Sequence, residues 1–475
     1  MAKGGAYDAV VVGGGPNGLA AAITLQEKFG SVLLVEGKDT IGGGTRSAEL
    51  TLPGFVHDIC AAVHPLGIAS PFFRSIDLSR HGLRWIQPDL PLAHPFEDGS
   101  ALFLHRSLEN TGTVLGADGN AYRELVAPFV DGHEDLLADI LGPPRFPRHP
   151  RLTSRFALKA WRSCRHLAEK TFRDARTRAL FAGLSAHAMV PLDSPATAAF
   201  GIVLAVLSHA VGWPFVEGGS QRLADALAAH FQEQGGKIIT GRPVTGLNDL
   251  PGARAYFFDV TPRQLLDMAG TSFPAAYRRR LGRFRYGPGV CKADWALREP
   301  IPWKAEACRR AGTVHLGERL EEIDASIRHA HGGRMSPDPY VILTQPSLFD
   351  PSRAPRGRHT AWAYCHAPHG SREDAADLME NRIERYAPGF RDIILERSTL
   401  TPADMERYNP NYIGGDINGG LQDLFQILAR PVPSFHPYRT GAENIFLCSS
   451  STPPGGGVHG LCGFHAARCL LGKSG

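Results

Sequence analysis

The chain is short of several features, and each shortage removes a class of function. Its eight cysteines are Cys60, Cys164, Cys291, Cys308, Cys365, Cys448, Cys462 and Cys469. No two are spaced C-x-x-C or C-x4-C, which excludes a local redox dithiol and a zinc ribbon. Scattered thiols suit a reducing compartment. Net charge is only +4 over 475 residues, so no nucleic-acid footprint exists and no nucleic-acid partner is expected. The most apolar stretch, 196–215, is broken by Thr197, Gly201, Ser208, His209, Gly212 and Pro214. It reads as a buried core helix, or as a wall of an apolar cavity, rather than a membrane span. Six residues precede the first apolar run and none is part of an Arg-rich leader, so a signal peptide is not expected. The expected location is cytoplasmic, with peripheral contact on the inner face of a membrane as its variant. Repeats and low-complexity tracts are absent.

What is present is glycine, at 53 residues, and proline, at 36, as an enzyme with many tight turns and close ligand approaches requires. The length calls for two or three domains. Charge is uneven: residues 145–178 hold eleven Lys or Arg against two acids, Glu169 and Asp174. That run suits either a solvated helix face or a patch facing anionic lipid.

Residues 7–12 form a short continuous apolar run ended by glycine, the pattern of a buried parallel strand. A helix follows over 16–29 and a second strand over 31–35, which makes a β-α-β unit. Between strand and helix lies Gly13-Gly14-Gly15-Pro16-Asn17-Gly18, a G-x-G-x-x-G pattern in its required context. Gly13 permits the tight turn, Gly15 lets backbone amides approach a pyrophosphate, and Gly18 lets the helix pack close to the strand. The helix N-terminus adds unsatisfied N–H groups and partial positive charge. Glu36 ends the second strand, where it can accept bonds from both ribose hydroxyls and would repel a 2′-phosphate. Next comes Gly42-Gly43-Gly44-Thr45-Arg46, whose glycines suit close backbone approach and whose Arg46 could pair with a phosphate.

Dinucleotide-fold features recur later. A helix is expected over 221–232, strands over 237–240, 256–260 and 444–449, and a last helix over 458–471. The loop from Ser449 to Gly460 contains Gly455, Gly456 and Gly457 followed by Val458 and His459. No ribose-binding unit follows it. A helix N-terminus aimed at a flavin, stabilising the negative charge of its reduced form, explains the loop better than a second nucleotide site.

These segments, with Pro53-Gly54-Phe55, Glu217-Gly218-Gly219-Ser220 and Gly235-Gly236, resemble the phytoene desaturase-like flavoproteins. The likeness extends to their carotenoid ketolase/desaturase-like branch and to the relatives of pyridine nucleotide-disulphide oxidoreductase domain protein 2. The resemblance implies an α/β chain: a Rossmann-like FAD-binding domain of the two-dinucleotide-fold type with an inserted α+β substrate domain. The expected division is 1–75, 214–268 and 436–475 for FAD, and 76–213 and 269–435 for a substrate domain able to touch a membrane. FAD would be held non-covalently by Gly13, Gly15, Pro16, Asn17, Gly18, Glu36, Gly43, Gly44, Arg46, Gly456, Gly457 and Val458, with the Val244 backbone on the adenine side. Residues 57–65 would line the flavin region, and 409–420 with Arg430-Pro431 its substrate side. The disulphide part of that relative's name is not carried over, since the dithiol and a second nucleotide unit are missing.

The expected activity is hydride removal from an apolar, isoprenoid- or lipid-like small molecule, with a quinone, oxygen or another acceptor taking the electrons. The stretch 196–215 and a basic helix bearing Phe156, Trp161 and Phe172 would bring such a substrate from a membrane. Two alternatives stay open: an amine-oxidase-like flavoenzyme, for which no aromatic pair facing the flavin can be located, and a non-catalytic FAD-binding partner or assembly protein. No metal is implied and no base can be named. Asp58, His64, His187 and His459 are positional candidates only.

Overall fold

The computed structural model describes residues 7–472. Five short strands form a wholly parallel sheet in the order Ile445–Leu447, Ala253–Phe258, Tyr7–Val12, Val32–Val35, Lys237–Ile239. Their aliphatic and aromatic side chains are buried on both faces, as a parallel sheet covered by helices requires. Ala9, Val11 and Phe257 pack toward the helices Pro16–Phe29, Gln221–Glu233 and Leu461–Leu470. Val10, Val12 and Phe258 pack the other way, toward Pro262–Ala269. Two edges differ from the sequence expectation. The strand read over 256–260 begins at Ala253, and the last helix begins only at Leu461. Gly460 takes a left-handed φ of 70° and keeps 458–460 in the loop.

The first and last helices cross so closely that only glycine fits. A Cβ on Gly463 would lie 1.7 Å from the Asn17 carbonyl oxygen. The first and last helices are thereby fixed to one another directly behind the first glycine loop.

A second sheet has seven strands in the order Ile394–Leu400, Gly289–Leu297, His359–Ala367, Val341–Thr344, Ala311–Leu316, Leu90–Pro95, Ala101–Leu104. Neighbours are antiparallel except Ala311–Leu316 on Leu90–Pro95. Side chains alternate between its faces. Cys291, Ala293, Trp295, Leu343 and Ala363 form one core with the helix Ala376–Tyr386. Val290, Ile342, Trp362 and Tyr364 face a helical layer built from 108–210.

In that layer Thr197–Ala210 is the buried helix expected from the apolar stretch. Among the described residues no helix is long and apolar enough to cross a membrane. The basic run is spread over Pro150–Ala160, Cys164–Thr171 and Ala175–Ser185, with Arg151, Arg155, Lys159, Arg162 and Arg173 exposed. Phe156 and Phe172, expected on a membrane-facing surface, are instead buried in the helical core: Phe156 lies on the apolar stripe of an amphipathic helix, and Phe172 turns inward just after the helix Cys164–Thr171. Trp161 and Leu158 remain exposed.

Candidate functional site

A cavity of about 650 Å³ runs from the first glycine loop to the seven-stranded sheet. At its first end Gly13 turns with φ 103° and donates its N–H to the Val35 carbonyl at 2.8 Å. A Cβ on Gly18 would lie 1.9 Å from the Gly13 carbonyl oxygen, so Gly18 is a packing residue and does not line the cavity. Gly13, Gly15, Pro16 and Asn17 do line it. The helix that starts at Pro16 has no side-chain cap and no acid in its first turn. Its end is therefore a receptor for an anion. Asn17 is buried and its Oδ1 has no partner, as expected of a group set aside for a ligand.

Glu36, Gly43, Gly44, Arg46 and Val244 line the same end. The Glu36 carboxylate accepts from the Gly14 amide at 2.7 Å and the Lys38 amide at 2.9 Å. Arg46 sits on it at 3.1 Å and also donates to the Thr40 carbonyl at 2.6 Å. Its protein partners are thus Glu36, Thr40 and the Gly43 carbonyl, and it lines the cavity. Sequence reasoning missed Asp259. Its Oδ2 accepts the Gly18 amide at 2.9 Å, and it lines the cavity. Burial, aided by the Glu36 charge, pushes its carboxyl up to about 7.

From the C-terminal loop, Gly457 and Val458 line the cavity, while Gly456 lies behind them against Asn418. His459 does not line the cavity, and its Nε2 has no partner. Its Nδ1 accepts the Leu461 amide at 3.0 Å, which caps the last helix, and its carbonyl accepts from Ser70 Oγ at 2.6 Å. Burial lowers it to about 4. Asp58 is held below the ordinary carboxylate range by Arg353 at 2.6 Å, with Ser47 and the Ser220 amide also donating to it. It is a structural anion. His64 and His187 do line the cavity, and burial lowers each to about 4, so both are neutral imidazoles. Ser220 Oγ gives its hydrogen to the Ala61 carbonyl, so the proton of His64 sits on the Nε2 that meets Ser220 at 2.7 Å. Nδ1 of His64 is left without a partner.

The far wall is the sheet. Strand pairing lays Lys292 beside Tyr364 and Tyr364 beside Ile342, while Trp362 pairs with Thr344. All five line the cavity, joined by Thr313, Trp213, Tyr408 and Tyr412. Lys292 is buried, ion-paired with Asp294, and 5.8 Å from the Trp362 ring centre. His57 stands 3.5 Å from the other oxygen of Asp294. Burial raises Asp294 to about 6, opposed by the Lys292 charge. Glu36 and Asp259 are the two acids that line the cavity among the described residues, and both lie at the glycine-loop end. The aromatic residues that could not be located from sequence are thus supplied by strand neighbours and by 408–412, too far apart in the chain for any local motif to reveal.

The donor set fits FAD. The helix N-terminus, whose Gly18 amide goes to Asp259, and the facing Gly15 and Gly43 suit a pyrophosphate, while the orphaned Asn17 oxygen, an acceptor, suits a ligand hydroxyl. Glu36 suits a ribose, and the elongated cavity suits an extended dinucleotide. Comparisons agree. The mouse pyridine nucleotide-disulfide oxidoreductase domain-containing protein 2 is 28% identical over 98% of this chain and 93% of its own. The phytoene dehydrogenase of Streptomyces griseus is 25% identical over 96% of this chain and 93% of its own. A solved structure of a redesigned putrescine oxidase has the same fold, with a TM-score of 0.62 at 17% identity, covering 98% of this chain and 99% of that one. The FAD dependent oxidoreductase family matches residues 8–264, more than half of the chain, and the chain belongs to that family, with FAD as its cofactor.

Proposed function

We propose that the chain is a dehydrogenase or desaturase acting on an apolar, isoprenoid- or lipid-like substrate. The observation that carries this is the charge at the sheet end of the cavity. Its wall is aromatic and aliphatic, its one cation is Lys292, and its acids are confined to the glycine-loop end. An ammonium substrate would meet there the Lys292 head, already paired with Asp294 behind the wall, and no carboxylate that lines the cavity to receive it. The aromatic lining by itself is shared with the amine-oxidase reading; what separates the two is that, among the described residues, no acid lines the sheet end.

In this reading Gly13, Gly15, Pro16, Asn17, Glu36, Gly43, Gly44, Arg46, Val244, Gly457 and Val458 hold FAD, and Gly18 and Gly456 shape the backbone around it. FAD supplies a two-electron acceptor when bound. The chain's own residues orient the substrate and exclude water. His64 Nδ1 is a neutral acceptor beside the cavity, and a proton released with the hydride has that atom or solvent to go to. We assign 76–213 and 269–435 to the substrate side. The electron acceptor is a quinone, oxygen or another small oxidant.

An apolar substrate must come from a membrane or a carrier, and peripheral membrane contact fits the exposed Phe146 and Phe435, 85% and 88% accessible. The test is anaerobic mixing of the flavin-loaded protein with a linear isoprenoid, a long-chain alcohol and a primary alkyl amine. Loss of the flavin band near ~450 nm with the first or second supports the proposal. Loss with the amine alone overturns it.

A further inference from the structure

The sheet wall is polar in a way that a hydrocarbon-binding wall has no reason to be. Trp213, Thr344 and Trp362 line the cavity and are buried. Trp213 Nε1, Trp362 Nε1 and Thr344 Oγ1 have no hydrogen-bond partner. Thr344 pairs across strands with Trp362, so two of these groups are side by side. Trp213, three residues beyond the helix Thr197–Ala210, packs edge-on against His187 at 6.3 Å. Indole N–H is a donor only, as is the ammonium of Lys292 on the same wall. Lys292 is spent on Asp294, but the two indole N–H groups and the Thr344 hydroxyl, buried in the lining of one cavity and unspent, ask for an acceptor.

We propose that this wall recognises an oxygen atom of the substrate: a carboxylate, carbonyl or hydroxyl on an otherwise apolar chain. The inference rests on the dehydrogenase reading above and narrows its substrate class. A plain hydrocarbon leaves Trp213, Thr344 and Trp362 unpaired, and an alkylammonium can serve the Thr344 oxygen but leaves both indole N–H groups unpaired. A terminal or near-terminal oxygen accepts from Trp362 and Thr344 while its chain lies along Ile342, Leu204 and Met405, which line the same cavity. His187 adds no charge, because its imidazole is neutral and bonded to His315 at 3.4 Å.

The experiment is calorimetric titration of the flavin-loaded protein with octanoate, octan-1-ol, octane and octylamine, repeated on Thr344→Val and Trp213→Phe. Retention of the flavin spectrum checks that each variant is folded. The oxygenated ligands should bind at least about tenfold tighter than octane, and each variant should remove about five- to tenfold of that margin while leaving octane unchanged. Octane binding as tightly as octanol and octanoate overturns oxygen recognition, with water then serving the donors, and leaves the dehydrogenase reading standing. A margin that survives both variants also overturns the site. Octylamine binding tightest, or no binding by any of the four, overturns both readings.

Discussion

Asp259 gives the sharpest test of how the glycine loop is held. Its carboxyl is buried, accepts the Gly18 amide at 2.9 Å, and has no cation on it among the described partners. Burial raises it from 3.8 to about 7 in the folded chain. An acid raised on folding binds a proton more tightly when native, so stability is full below its unfolded value and falls as pH rises toward 7. At roughly 1.4 kcal/mol per pH unit, ionisation costs the fold on the order of 4 kcal/mol above neutrality. Asp259→Asn keeps an oxygen for the Gly18 amide and removes the charge. The difference in unfolding free energy between variant and parent should therefore grow steadily from about pH 4 to 7 and then level off. Other titrating groups are common to both proteins and cancel in that difference. Denaturant unfolding at half-unit pH steps, with protein fluorescence and flavin release as two probes, measures it. FAD brings a pyrophosphate to the same loop, so FAD retention of the parent should also weaken with rising pH more than that of the variant. A difference that does not change with pH, or one that grows only above pH 8, would refute the assignment of a raised Asp259.

Other substitutions test the packing and charge around the site. Gly18→Ala sets a methyl 1.9 Å from the Gly13 oxygen, and Gly463→Ala sets one 1.7 Å from the Asn17 oxygen. Each should cost about 1–3 kcal/mol or more, and flavin content should drop with it, as read by thermal unfolding and absorbance. Lys292→Met leaves Asp294 buried without its cation and should destabilise by about 3–5 kcal/mol. Lys292→Met with Asp294→Asn should recover a large part of this, and equal loss in both would show that the ion pair contributes nothing. His459→Ala should lower thermal stability through the lost helix cap, about 0.5–2 kcal/mol, with little change in the pH profile of turnover. A pH-rate limb that disappears in this variant would restore His459 as an acid–base group.

The glycine loops were legible in the sequence because they answer a local demand. Gly13, Gly15 and Gly18 are spaced by the geometry of one turn and one helix, and Glu36 by the length of one helix and strand. Asp259 answers a demand just as specific but reaches the loop from 241 residues away. It is the residue after a strand whose place beside Tyr7–Val12 only the sheet order reveals. His459 shows the opposite failure. A histidine beside a glycine-rich loop looks like chemistry, yet it lies outside the cavity lining and its Nδ1 accepts the first amide of the last helix.

The sheet wall failed to show for a more instructive reason. Alternation of polar and apolar residues in a strand normally marks the face that meets water. Val290-Cys291-Lys292-Ala293-Asp294 alternates, as do Thr313-Val314-His315 and Ile342-Leu343-Thr344 in part. That pattern points Lys292, Asp294, Thr313, His315 and Thr344 to solvent. All five are instead at most 3% exposed. A helical layer covers this face, and the polar residues line or back the cavity beneath it. The polar face of a covered sheet therefore marks the place where the chain keeps hydrogen-bonding capacity away from water. In Thr344 and Trp362 it keeps that capacity unspent. Reading strand alternation together with an apolar helix able to cover the strands, here Thr197–Ala210, would have placed the sheet end of the cavity from sequence. The choice between a hydrocarbon and an oxygenated chain depends on which strands are neighbours, and alternation in a single strand carries no information on that.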